Sequence, residues 1–153
     1  MLPGRTLLAS LALLTSIAAL TAGPAAAGPA LPRLATQEPG HELQVRPPTV
    51  SFTGDGTGYL GGRTTSPRHL GRGGIDWRSW TRSAAFGRGF AWINDCRPDC
   101  AGGSFHKHRA TVRARRARHG LFTRMTIVFR YNGRLVRDRR VLERAGGSYY
   151  WGI

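Results

Sequence analysis

Lysine occurs once in this 153-residue chain, at Lys107, and cysteine only twice, at Cys96 and Cys100. Acids are scarce as well: eight Asp and Glu stand against 23 Lys and Arg. Two cysteines exclude a disulfide-dense scaffold and a four-thiolate zinc site. The carboxylates Asp55, Asp76, Asp95, Asp99, Asp138 and Glu143 are scattered along the chain and form no recognisable acid–base pair. Neither a G-x-S-x-G elbow nor an H-E-x-x-H helix occurs. The longest apolar run, residues 7–20, falls short of the roughly 20 residues a membrane-spanning helix needs. No cofactor and no metal is called for.

The positive features begin with export. Arg5 precedes that apolar run, and Ala25-Ala26-Ala27 offers the small-residue pattern a signal peptidase accepts. Residues 1–27 therefore read as a cleaved leader, and a retained membrane anchor is the weaker alternative. Residues 28–48 hold Pro29, Pro32, Pro39, Pro47 and Pro48 with little apolar content. Such a stretch buries too little surface to offset its ordering entropy, so it reads as a disordered spacer. Residues 49–153 remain as one modest domain.

The formal net charge is +15, and cleavage that removes Arg5 leaves +14. The choice of Arg over Lys has a compositional explanation in GC-rich coding. The excess of cations over acids does not, and it favours encounters with anions at low salt.

Beyond the leader the pattern is alternation punctuated by Gly, Pro and Asn. Residues 54–74 hold eight glycines and read mostly as loop. Ile75, Trp77 and Ser79 are expected on one side of a strand, with Asp76, Arg78 and Trp80 on the other. The run SAAFGRGFAWI continues as a strand in which Gly87 and Gly89 signal a bulge or a close backbone approach. His108, Ala110, Val112 and Ala114 then alternate with Arg109, Thr111, Arg113 and Arg115. After a loop over 116–120, Leu121, Thr123, Met125, Ile127, Phe129 and Tyr131 are assigned to the core and Arg124 and Arg130 to the outside. Phe122 and Val128 imply partial cover on the outer side. Asn132-Gly133 predicts a type I′ hairpin, with 134–142 as the returning strand. The fold class is all-β: a small antiparallel β-sandwich or barrel-like domain with one short-range disulfide.

In an exported chain the close pair Cys96 and Cys100 predicts that disulfide, worth about 2 kcal/mol by loop-entropy reasoning. The C-x3-C spacing argues against thioredoxin-type redox chemistry. His106 and His108 could complete a tetrahedral zinc site with the thiolates, but oxidation of the thiols is preferred. Gly56 to Gly61 matches G-x-G-x-x-G by letter, yet Gly62-Arg63-Thr64-Thr65-Ser66-Pro67 cannot open the helix that motif requires. The tract KHRATVRARRARH is the candidate anion-binding segment. Arg109, Arg113 and Arg115 line one strand face, and Arg116 and Arg118 stand at the loop beyond it. Their guanidinium groups suit phosphates or carboxylates, against the alternative of a merely solvated face. Trp77, Trp80, Phe86, Phe90 and Trp92 read as core rather than as a carbohydrate-stacking surface.

Taken together, Trp77-x-x-Trp80, Ala85-x-Gly87-x-Gly89 and Asn94-x-Cys96-x-Pro98-x-Cys100-Ala101-x-Gly103 resemble small exported proteins of actinobacteria, uncharacterised as a group. The resemblance spans residues 50–131 and implies export and a compact β-rich fold, but no activity. The density of Arg over 109–118 departs from it. The expectation is an exported, non-catalytic basic domain, secreted or envelope-associated. Its expected partner is an anionic polymer: cell wall, lipid headgroups or nucleic acid. The alternatives are a secreted hydrolase such as a nuclease, and an envelope protein whose charge is incidental.

Overall fold

A computed structural model describes residues 28, 30–36, 42–66, 69–72 and 74–153. The expected leader, 1–27, lies outside the described residues. Among the described residues every regular element is a strand. The short strands come first: β1 (Leu34–Ala35), β2 (Leu43–Gln44), β3 (Val50–Ser51), β4 (Gly58–Gly61), β5 (Thr64–Ser66), β6 (His69–Arg72) and β7 (Asp76–Trp80). Longer ones come next: β8 (Ala84–Asn94), β9 (Phe105–Arg118), β10 (Leu121–Tyr131) and β11 (Arg134–Ala145), with the short β12 (Ser148–Gly152) last.

The main sheet runs β12-β11-β10-β9-β8-β4-β3, all antiparallel. One edge of β8 carries β9 from Ala84↔Arg115 to Asn94↔Phe105. Its other edge is divided between β7 and β4. Two-residue turns join the four C-terminal strands. Asn132-Gly133 has φ of 47° and 75°, His119-Gly120 49° and 74°, and Gly146-Gly147 57° and 88°. Positive φ at both positions is what the right-handed twist of a tight hairpin demands. The expected loop over 116–120 thus shrinks to two residues, with β9 running on to Arg118.

The sheet curls into a nearly closed barrel, and residues 33–36 fill the seam. The Arg33 N–H donates to Gly120 O (2.8 Å), the Phe122 N–H donates to Arg33 O (3.0 Å), and the Ser51 N–H donates to Thr36 O (3.0 Å). Leu34, Ala35 and Val50 are buried in the same core as Phe52, Phe122 and Trp151. The disordered spacer expected over 28–48 is therefore corrected for 30–36 and 42–48. Those residues form a strap, and the stretch between them lies outside the described residues. Low apolar content misleads here because the strap is held by acceptors as much as by side chains. The indole N–H groups of Trp80, Trp77 and Trp151 donate to the carbonyls of Pro32 (2.9 Å), Pro47 (2.7 Å) and Ala35 (3.0 Å). A buried indole needs such a partner.

Two phase changes also correct the alternation. The β7–β8 register shifts between Trp77 and Ser79, so Trp77 and Trp80 both turn inward and meet edge-to-face at 4.7 Å. In β9, Arg116 takes a φ of 56°. Phe122, opposite Ala117, is then fully buried against Trp80 rather than partly covered outside. Tyr131 is exposed instead of core. The glycine-rich stretch holds strand β4 and the β5–β6 hairpin rather than loop alone. Gly89 makes the close backbone approach its position suggested: a Cβ there would stand 2.7 Å from Gly61 O.

Candidate anion-binding face

Antiparallel register decides which side chains share a face, because directly opposed residues point the same way. The pairs Ala85↔Ala114, Gly87↔Val112 and Met125↔Ala114, Ile127↔Val112 mark the inner face. Their neighbours one residue along mark the outer face.

That outer face is built in rows. One row runs Asp76, Arg88, Thr111, Val128, Arg137 across β7 to β11. A second runs Phe86, Arg113, Thr126, Arg139, and a third Ala84, Arg115, Arg124, Val141. The fourth joins Phe90 to Arg109 and Arg130 to Leu135. Phe86 and Phe90, expected in the core, are thus half-buried on the outer face, because they alternate with the inward Ala85, Gly87 and Ala91. Every arginine in these rows is exposed. Strands sit about 4.8 Å apart and alternate residues about 6.7 Å apart along each, so the cations form a regular grid. The expected Arg109, Arg113 and Arg115 lie together in it. Arg116 sits at the kink, and Arg118 is exposed at the strand end rather than in a loop. The basic tract alone does not bring in Arg88, Arg137 and Arg139, nor does it join Arg124 and Arg130 to the others. The Asn132-Gly133 turn carries the missing signal, since a two-residue hairpin sets Tyr131 opposite Arg134 and every later pair with it.

The acids are engaged elsewhere or stand at the margin. Asp76, on β7, pairs with Arg78 at 2.6 Å. Asp138 makes a two-pronged contact with Arg140 on the inner side. Glu143, near the β11–β12 corner, accepts from the Tyr150 hydroxyl at 2.8 Å, which raises the phenol above its ordinary range. Among the described residues, no carboxylate pairs with the grid arginines.

Between the sheet and the base of the β5–β6 hairpin lies an open groove of about 850 Å³. Arg63, Arg78, Arg88, Arg109 and Arg130 line it, together with the half-buried Phe90 and Val128 and the exposed Leu135. Lys107 stands nearby with its ammonium 5.9 Å from the Phe90 ring and 5.8 Å from that of Trp92. Its Nζ donates to Arg63 O at 3.4 Å, tying the hairpin base to the sheet.

The remaining polar features are structural. Cys96 and Cys100 form the expected disulfide. Around it Asn94 Oδ1 accepts from the Cys96 N–H and its Nδ2 donates to Cys100 O, both at 2.8 Å. Asp95 accepts from the Ser104 and Arg97 N–H groups and meets His106 Nε2 at 2.9 Å. The His106 contact, with Ser104 next, holds the Asp95 carboxyl down at about 2. His108 turns inward beside Phe129 and Tyr131, with its buried Nε2 unpaired. Trp92 stacks on Tyr59 and donates to Gly62 O, and both rings are buried. No protein-family model, no curated protein and no solved structure matches this chain.

Proposed function

We propose that this chain is an exported, non-catalytic module whose outer sheet face associates with anionic polymers outside the cell. The carrying observation is the grid itself. Four adjacent strands present exposed guanidinium groups with no carboxylate partner among the described residues. Arg115 and Arg124 are directly opposed, which is unfavourable for like charges and is tolerated where an anion relieves it. Guanidinium forks engage phosphate and carboxylate oxygens two at a time. Cell-wall polymers, lipid headgroups and nucleic acid all supply such groups. The disulfide is compatible with an oxidising compartment.

The histidines whose side chains are described support binding over hydrolysis. His106 stands near the start of the 14-residue strand β9 and His119 in the turn that follows it, and His108 faces inward between them. These three do not converge on the arginine face.

Retention on immobilised heparin and DNA across a salt gradient tests the reading. The expected result is strong retention that falls steeply as salt rises, as counterion release dictates. The R109Q/R113Q/R115Q variant should elute at markedly lower salt. Retention that ignores salt, or that survives the triple substitution unchanged, overturns the proposal.

A further inference from the structure

The groove at the hairpin base differs from the open grid, and its charge count says what it takes. Resting on the anion-binding reading above, we infer that it is a subsite for a short run of linked phosphates, the chemistry of a di- or triphosphate. Five arginines line it against one carboxylate, Asp76, which is already engaged by Arg78. Arg63, Arg88, Arg109 and Arg130 therefore remain without an acidic partner among the described residues. Arg130 uses one donor on Gly133 O (3.1 Å), leaving the rest of its fork free. A phosphodiester carries a single charge and would leave most of this set uncompensated. A phosphate monoester carries about −1.5 to −2, and linked phosphates concentrate several such charges within one groove.

Placement supports the same ligand. Arg88, Arg109 and Arg130 come from β8, β9 and β10, three consecutive strands about 4.8 Å apart. Arg63 enters from the hairpin side, so cations approach from two directions instead of one plane. Phe90, Val128 and Leu135 border the same groove and give the arginine stems apolar surface to lie along, with their charged heads turned to the ligand. The grid on the barrel's outer face, in contrast, spreads its charges over an open surface, as an extended polymer needs.

Calorimetric titration of the purified protein at matched ionic strength tests this with orthophosphate, pyrophosphate, inorganic tripolyphosphate and adenosine triphosphate. The expected result is one tripolyphosphate per chain, bound at least about tenfold more tightly than orthophosphate, with pyrophosphate between. R88Q/R109Q should weaken tripolyphosphate about tenfold or more, whereas R113Q/R115Q should change it less than about threefold. Both pairs are exposed, and unchanged circular dichroism confirms that the variants fold. Adenosine triphosphate binding as tightly as tripolyphosphate, or more tightly, supports the subsite and shows that a nucleotide-borne phosphate chain is accepted. Tripolyphosphate binding no tighter than orthophosphate overturns it. So do several equivalent tripolyphosphate sites per chain, or equal weakening by both variant pairs. Loss of tripolyphosphate selectivity with heparin retention intact removes the subsite alone. Loss of both removes the polymer-binding reading as well.

Discussion

At the scale of single residues, Asp95 and Gly89 mark two positions where hydrogen bonding and close approach, rather than side-chain bulk, decide. Asp95 closes the disulfide loop by accepting two backbone N–H groups and the His106 ring. Its carboxyl is lowered from 3.8 to about 2, first by the His106 bond and then by Ser104. A depressed folded value means a contribution that is whole above the unfolded value and is lost as pH falls between the two. Thermal midpoints measured from about pH 6 to about pH 1.5 should therefore drop below about pH 4. Asp95→Asn should flatten that limb of the curve while lowering the midpoint at neutral pH. At Gly89 the neighbour is backbone, Gly61 O, and cannot swing aside. Gly89→Ala should cost about 1–3 kcal/mol, read as a lower urea midpoint at unchanged slope. A close approach at Gly89 is legible because glycine interrupts an otherwise regular strand. Which strand approaches is not, because that depends on pairing.

Among the elements, legibility follows periodicity. Strands β8 to β11 are readable because Ala110, Val112 and Ala114 alternate cleanly with arginines and Asn132-Gly133 leaves one register open. Reading fails where the phase changes, through one extra residue at Arg78 in the β7 bulge and through the positive φ of Arg116 in β9, where the register with β10 stays unbroken. It fails again in the strap, whose prolines look like linker and act as hydrogen-bond acceptors for distant tryptophans, 30 residues on for Pro47 and 48 for Pro32. The candidate site behaves the same way. Arg109, Arg113 and Arg115 stand out in one tract, whereas Arg88 and Arg137 join them only through pairing. The strap also makes a sharp expectation. A chain starting at residue 49 leaves three indole N–H groups without acceptors, each costing about 1–3 kcal/mol, and uncovers the core beneath Leu34. Such a truncated chain should lose its cooperative thermal transition and its near-ultraviolet dichroism. A sharp transition retained by it would show the strap to be dispensable.

For the molecule as a whole, the two faces of one sheet make opposite demands. The inner face joins small residues on β8 and β9 to Phe52, Trp80, Phe122 and Trp151 in one core. The outer face carries mutual repulsion, because Arg115 opposes Arg124 and similar charges crowd around them. Neutralising Arg109, Arg113 and Arg115 should therefore raise stability at low salt by a few tenths to about 1 kcal/mol. Added salt should close the gap, since screening relieves the unmodified protein as well. Thermal midpoints of both proteins in about 20 mM and about 500 mM salt, a long and a short Debye length, would show this. A variant more stable yet poorer at holding heparin would mark the arginines as kept for binding, at a cost to the fold.

Trp151 and Ala35 lie 116 residues apart and share one hydrogen bond. During synthesis the strap is therefore made well before its last anchor, which follows 116 residues later. The hairpins from β8 onward can zip up in turn through short loops, but the seam cannot shut until that indole arrives. A chain cut just before Trp151 should behave like a sleeve left unbuttoned, sheet paired and interior open to water.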